Sequence, residues 1–428
     1  MSAKAEPRLE RGIGPLGSAL LSFNGIVGAG IFALPATLHL QFGAFSPWLF
    51  PIFGLLILLI ALPFANLAAL FSSSGGPAAY TACFGRVASF EVGWIYYTAR
   101  TTSFAANANV FAAYAVALWP ALDGQGGRAA VIIAIVSLVT WINIVGVGRA
   151  MRALDVASLL KAAPLVALAA WVLIRSGGVS VAGTLPEFGA FQAAALITLY
   201  AFLGFENCVV PADETVTPRR TIPRALIATI TGTTVLYFLI QLAYVSVMPA
   251  GATPEAPLAA LAGIVIGPAG IVVLSLTAMA SVGGNFLGSM TSTPRVTYAL
   301  ARDKLLPDWF AEVSARWRTP VNSILFMGIA GALLALSGSF VWLAVVSTLA
   351  RLFIYGASIL ALPAARRANS LATGLALRTL IFGGLAVCIW AAAQSELRSW
   401  IMLAALLVAG TLLYAIAARS ARRAAIPT

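Results

Sequence analysis

Residues 14–38 read GPLGSALLSFNGIVGAGIFALPATL, without a single charged side chain. A helix crosses the hydrocarbon core of a bilayer with about 20 mainly apolar residues, and this stretch has that length. Its centre, Asn24-Gly25-Ile26-Val27-Gly28-Ala29-Gly30-Ile31-Phe32, is where a helix would be weakest. Glycine lets the chain unwind and bring its backbone close to a ligand, and amides and carbonyls freed at that depth need partners that lipid does not supply. The same spacing also suits the packing face of an unbroken helix. The choice depends on the rest of the chain.

Outward from this stretch, apolar segments recur between charged or Gly/Pro-rich breaks, at about 46–71, 87–119, 129–148, 157–175, 191–211, 224–247, 268–292, 320–337, 341–363, 373–393 and 398–418. With the first, these make twelve. The fold expected is an all-α integral membrane protein of twelve transmembrane helices. Composition agrees, with 61% hydrophobic and 9% charged residues against about 25% charged in soluble domains. An ordinary soluble enzyme is excluded.

Numbered from a cytoplasmic N-terminus, the inner segments hold twenty of the 26 basic residues, whereas the outer loops hold only Arg128, Arg175 and Arg398. That is the positive-inside pattern. Both termini are expected in the cytoplasm, and the protein in the inner (cytoplasmic) membrane as a multi-pass chain. The net charge of +12 then reads as attraction to anionic membrane lipids rather than to nucleic acid. The basic N-terminal run leads to no small-residue cleavage site, so it is expected to be retained. Cys83, Cys208, Cys388 and the lone His39 form neither a disulfide framework nor a metal site. No phosphate loop, His-Glu-x-x-His, Gly-x-Ser-x-Gly or dinucleotide fingerprint occurs. No cofactor and no enzymatic activity are expected. A sensor or membrane enzyme would need an added soluble module or an acid/base cluster at one depth, and neither is present. The segment from Arg295 to Pro307 reads as a short amphipathic interfacial helix.

A second Gly-broken span lies five spans after the first, in Tyr200-Ala201-Phe202-Leu203-Gly204-Phe205-Glu206-Asn207. Paired interrupted helices are the mark of transporters built from inverted repeats, so the broken-span reading of Gly25, Gly28 and Gly30 gains weight. The domains expected are a cytoplasmic tail (1–13), a first five-helix repeat (14–175), an inverted second repeat (191–363), two additional helices (373–418) and a C-terminal tail (419–428). Freed helical N-termini suit a substrate carboxylate and freed carbonyls an ammonium.

Ionisable residues inside spans are functional candidates because burying them is costly. Arg100 stands about thirteen residues into span three, roughly 20 Å deep at helical rise, too deep to reach either surface. Glu206 follows the Gly204 break. Its pairing with Arg100 or with Arg351 is one structural reading and a gating role another. Lys161 lies only about 6 Å into span five, so its stem could snorkel to the surface. Alternatively its ammonium stands in for a bound cation and exchanges its proton, as a proton-coupled carrier needs.

The motifs Gly28-Ala29-Gly30-Ile31-Phe32, Phe202-Leu203-Gly204-Phe205-Glu206, Thr217-Pro218-Arg219-Arg220-Thr221-Ile222-Pro223-Arg224, Tyr298-Ala299-Leu300-Ala301-Arg302-Asp303 and Arg318-Thr319-Pro320-Val321-Asn322 resemble, in order and spacing, the amino acid–polyamine–organocation superfamily. The resemblance is to its bacterial amino-acid permease branch, with a leucine-transporter-like fold, and covers nearly the whole chain. It implies that Gly25, Ile26, Gly28, Ala29, Gly30, Phe202 and Gly204 hold the substrate backbone, that Tyr200 caps it and that Asn285 faces it. It also implies that Lys161, with Ser281 beside it, occupies the place where sodium-dependent relatives hold sodium. Arg100 matches no binding residue of the family.

The function expected is therefore secondary transport of amino acids by alternating access, proton-coupled and sodium-independent. With Arg100, Lys161 and Arg351 facing only Glu206, the membrane interior is positive and disfavours cationic substrates, so neutral L-amino acids are expected. An exchanger, or a carrier of cationic amino acids or polyamines, is the alternative. No disulfide-linked ancillary subunit is expected, because none of the three cysteines falls in an outer loop.

Overall fold

The computed structural model describes residues 13–71, 76–146, 161–175, 185–209 and 215–424. Among these, every regular element is helical. In chain order the helices are α1 (Pro15–Ile26), α2 (Ala29–Phe42), α3 (Ser46–Ala68), α4 (Gly76–Tyr80), α5 (Arg86–Leu118), α6 (Gln125–Val145), α7 (Ala162–Arg175), α8 (Phe188–Ala193) and α9 (Ala195–Tyr200). There follow α10 (Pro218–Val247), α11 (Pro257–Val265), α12 (Pro268–Ser292), α13 (Pro294–Arg302), α14 (Val321–Ser337), α15 (Phe340–Ala368), α16 (Leu375–Ala393) and α17 (Leu397–Ala424). Proline opens α10, α11, α12 and α13, where its missing N–H would have had no acceptor and its fixed φ suits the first turn.

Among the described residues, seven apolar stretches are long enough to cross a membrane: 29–68 (α2 with α3), 125–145, 218–247, 268–302, 340–368, 375–393 and 397–419. Three shorter apolar stretches, 162–175, 195–208 and 321–337, accompany them. The chain is an integral membrane protein. The count differs from the twelve expected for physical reasons. The first span is split, so α1 alone is too short, and the sixth is interrupted after Tyr200. Residues 157–160, where the fifth expected span begins, lie outside those described, as do 1–12 and 425–428 of the two expected tails. Helix α5 is long enough, at 33 residues, but carries Arg100, Asn107 and a Thr/Ser run at its centre. It tolerates them because it is buried along its length between α12 and α15. Boundaries shift as well. The seventh span begins at Pro218 instead of 224 because Pro218 can open the helix, and the tenth runs on to Ala368.

The core is aromatic, with Tyr97, Tyr114, Tyr237, Phe50, Phe53 and Phe64 fully enclosed. The outward faces of α6, α16 and α17 expose large apolar chains such as Trp141, Ile389 and Leu412, as expected where the solvent is lipid. The amphipathic helix expected after span eight is α13, which turns Thr297, Leu300 and Ala301 inward. An isolated parallel bridge joins Ile13, ahead of α1, to Thr215, ahead of α10.

Candidate functional site: two broken helices and their charges

Helix α1 stops at Ile26. Val27 takes φ −76° and ψ 88°, Gly28 takes φ −138° and ψ −145°, and α2 resumes at Ala29. A helix end leaves its last carbonyls without intrahelical donors, and here the chain supplies them. Asn24 O accepts from the Lys161 ammonium at 3.2 Å, and Ile26 O from the Tyr237 hydroxyl at 3.1 Å. Val27 O accepts from Lys161 at 2.8 Å and from the Ser281 hydroxyl at 3.2 Å. A third bond from Lys161 reaches Asn24 Oδ1 at 2.7 Å. An ammonium has three N–H donors, and all three are used. Lys161 is 4% exposed, so the snorkelling alternative is corrected. Its stem turns towards the break rather than the surface because the break offers three acceptors.

The second break begins where α9 ends at Tyr200. Residues 201–204 form a turn closed by Gly204 at φ +107°, and Phe205–Cys208 coil as a 3₁₀ turn. The two breaks meet backbone to backbone. A Cβ on Gly25 would strike the carbonyl of Gly204, one on Gly204 would strike the carbonyl of Gly25, and one on Gly30 would come within 2.9 Å of Ala201 Cα. The Ser22 hydroxyl adds a bond to Phe205 O at 3.0 Å. Since backbone cannot swing aside, Gly25→Ala is expected to destabilise the protein by more than about 2 kcal/mol. Gly283→Ala, where the space is open, should change stability by no more than about 1 kcal/mol. Thermal unfolding of the two purified variants checks the contrast, and equal stability would remove the close approach.

Glu206 stands on the 3₁₀ turn, 2% exposed. Its Oε1 accepts from Arg351 Nη1 at 2.7 Å, and its Oε2 from the Tyr355 hydroxyl at 2.9 Å and the Gly204 amide at 3.0 Å. Of the two pairings open in the sequence, Arg351 is the one made. Arg100 is buried, and its hydrogen-bond partners among the described residues are neutral: Thr293 Oγ1 (2.9 Å), Asn207 Oδ1 (3.0 Å), Ser292 Oγ (3.1 Å) and the Tyr96 hydroxyl (3.2 Å). It thus ties the span-six break to the bend between α12 and α13.

Tyr200 is buried, with its ring edge on Phe340 and its hydroxyl 3.3 Å from Ser103 Oγ. Phe202 packs on Phe50 and Tyr237. The Asn285 amide abuts Gly28, where a Cβ would strike Nδ2. The candidates therefore gather around the breaks: Lys161, Ser281 and Asn285 on the first, and Glu206, Arg351 and Arg100 on the second. Asn24, Asn207, Tyr237 and Tyr355 were not singled out in the sequence. Tyr355 could have been, since it lies one helical turn after Arg351 and so shares its face.

Two interrupted helices thus meet around buried charges inside an integral membrane protein. Comparison with known proteins makes this specific. The family model described as amino acid permease matches residues 13–420, and the chain belongs to that family, within the superfamily that the motifs resemble. An uncharacterized transporter of Mycobacterium tuberculosis is 29% identical over 76% of this chain and 74% of its own. A branched-chain amino acid permease of Bacillus subtilis is 26% identical over 78% and 76% respectively. A b(0,+)-type amino acid transporter of Mus musculus is 26% identical over 83% and 76%.

Proposed function

We propose that this permease carries neutral L-amino acids by alternating access, coupled to protons and independent of sodium. The observation that carries the reading is the Lys161 ammonium, fixed on Asn24 and Val27 at the first break with Ser281 on the same carbonyl. A positive charge ringed by oxygens supports the reading of Lys161 as a stand-in for a bound cation, because that charge can be added or removed as a proton. The free amides that open α2 suit the substrate carboxylate, with Tyr200 over it and Asn285, Phe202 and the glycines Gly25, Gly28, Gly30 and Gly204 shaping the site with Ile26 and Ala29.

Charge supports the substrate class. Arg351 pairs with Glu206, and among the described residues no ion pair is made by Arg100 or Lys161 near the breaks, an excess of positive charge that repels a cationic substrate. The name of the Bacillus subtilis relative points the same way. Competition uptake into proteoliposomes tests this. Leucine or alanine should displace a bound neutral amino acid, and displacement by arginine or putrescine alone would overturn the preference. Accumulation that needs internal substrate and ignores a pH gradient would mean exchange. In the same assay Arg100→Gln should slow transport, since Arg100 bridges Asn207 and Thr293; an unchanged rate removes it from the gate, which we assign to Arg100, Glu206 and Arg351 together.

The architecture belonging to this reading is twelve spans in two inverted five-helix repeats, 14–175 and 191–363, with two further helices at 373–418. Packing supports it: α3 lies on α10, α5 on α12, and α6 on α14, each helix against its counterpart five spans on, as a two-fold axis in the membrane plane would place them. The distribution of basic residues supports cytoplasmic tails, 1–13 and 419–428, at the inner membrane. Cys208 and Cys388 are buried and Cys83 is exposed; the reading without a disulfide-linked subunit rests on Cys83 lying in an inner rather than an outer loop.

A further inference from the structure

We infer that the cleft between the end of α15 and the start of α16 is a binding site for one anionic phospholipid. The cleft holds about 530 Å³ and is lined by Pro363, Arg367, Thr373, Arg378, Phe382 and Leu385 among others, a volume within the range of about 300–1,000 Å³ usual for small-molecule sites. Its rim is basic. Arg366 is committed to the protein, holding Ala372 O through Nε at 3.1 Å and Nη2 at 2.6 Å, and so fixes the loop that forms the rim. Arg367 and Arg378 are not. Each is exposed and makes one bond, from Nε to Pro363 O at 3.4 Å and to Thr373 O at 3.1 Å respectively. The remaining N–H groups of both guanidinium forks have no acceptor among the described residues. No Asp or Glu occurs anywhere between Glu312 and Glu396, so the rim has no acidic residue of its own segment to neutralise it.

The wall below the rim is apolar. Ile381, Phe382 and Leu385 extend about 10 Å along α16 from Arg378 at helical rise, and Phe382 is 76% exposed. Two forked cations above a strip of uncovered hydrocarbon match a phosphodiester with its acyl chain, since a guanidinium fork pairs two phosphate oxygens and lipid chains cover Phe382. A free phosphate would satisfy the arginines and leave that strip bare. The site rests only on the membrane setting of the chain, not on how it transports its substrate, so it stands or falls separately from the proton-coupled reading.

Native mass spectrometry of the full-length protein in detergent, titrated with dioleoyl phosphatidylglycerol or dioleoyl phosphatidylcholine, tests the site. One phosphatidylglycerol should be retained in preference to phosphatidylcholine. R367A and R378A should each weaken it roughly fivefold, and together about thirtyfold, the size typical of basic residues at an anionic surface. R302A, an exposed arginine on another helix, should leave retention unchanged. Thermal unfolding without added lipid should be the same for all variants, because both guanidinium groups are exposed. Equal retention of the two lipids, wild-type retention by the double variant, or displacement of phosphatidylglycerol by millimolar inorganic phosphate would overturn the proposal.

Discussion

Arg351→Met lowers the stability of the folded protein by about 3–5 kcal/mol, the cost of leaving a buried charge without its partner. Glu206→Gln, with Arg351 intact, costs a comparable amount. The double variant recovers most of the loss, because removing both charges of a buried pair is often neutral. The geometry explains why. Both side chains are nearly sealed, at 6% and 2% exposure, so water cannot replace the missing partner. Tyr355 and the Gly204 amide also point at the carboxylate. In the Glu206→Gln variant the new amide carbonyl can still accept from them, while it cannot balance the guanidinium. Thermal unfolding of wild type, both single variants and the double variant forms a cycle that isolates the coupling. Equal melting of all four would show that the pair is worth nothing. The same Glu206→Gln protein tests the gate: if transport rate and pH profile both stay as in wild type, Glu206 has no part in it.

Lys161→Ala abolishes accumulation driven by a pH gradient, a loss of at least about tenfold in the steady-state ratio. The reasoning is a count of donors. Protonated, Lys161 fills Asn24 O, Asn24 Oδ1 and Val27 O at once; as a neutral amine it has two N–H groups for three acceptors. Hydrogen bonds from a charged donor are worth about 1.5–3 kcal/mol each, so losing the proton loosens the break by an amount that can shift a conformational equilibrium. The sign follows: acid conditions pin α1 to α7, and alkaline conditions release it. Uptake into proteoliposomes under an imposed pH gradient, with and without sodium, reads the effect, and a thermal shift establishes that the variant is folded. Wild-type accumulation by Lys161→Ala would refute the role, and sodium-driven uptake at equal pH would falsify proton coupling.

How much of this was legible beforehand differs between residues. The broken spans could be read because the glycines at 25, 28 and 30, which alone would suit a packing face as well, are matched by a second Gly interruption at 204, five spans on. The intramembrane charges could be read because so few charges exist. What linear sequence hides is the partner. Arg100 and Arg351 offered Glu206 equivalent guanidinium groups, and only the fold puts Arg351 on the carboxylate and Arg100 among hydroxyls and an amide. Depth alone misjudged Lys161, since a residue near a span's end can bend inward when acceptors lie there. The carbonyls that hold it belong to residues 134 and 137 positions away, and no pattern in the side chains announces a freed carbonyl. The polar α5 likewise could be placed as a span, but not as the strut enclosed by α12 and α15.

The bridge from Ile13 to Thr215, completed by the Val216 amide on Ile13 O at 2.9 Å, yokes the chain leading into the first broken helix to the chain leaving the second. Further along, Gly25 and Gly204 lock the same two segments. A carrier with two independently swinging gates passes through a moment when both stand ajar, and solute then leaks down its gradient without doing work. Two fastenings on one pair of helices reduce them to a single moving part. On the proton-coupled reading proposed above, tight coupling, in which each cycle moves its proton and its solute together or neither, would be a matter of mechanical linkage as much as of binding affinity.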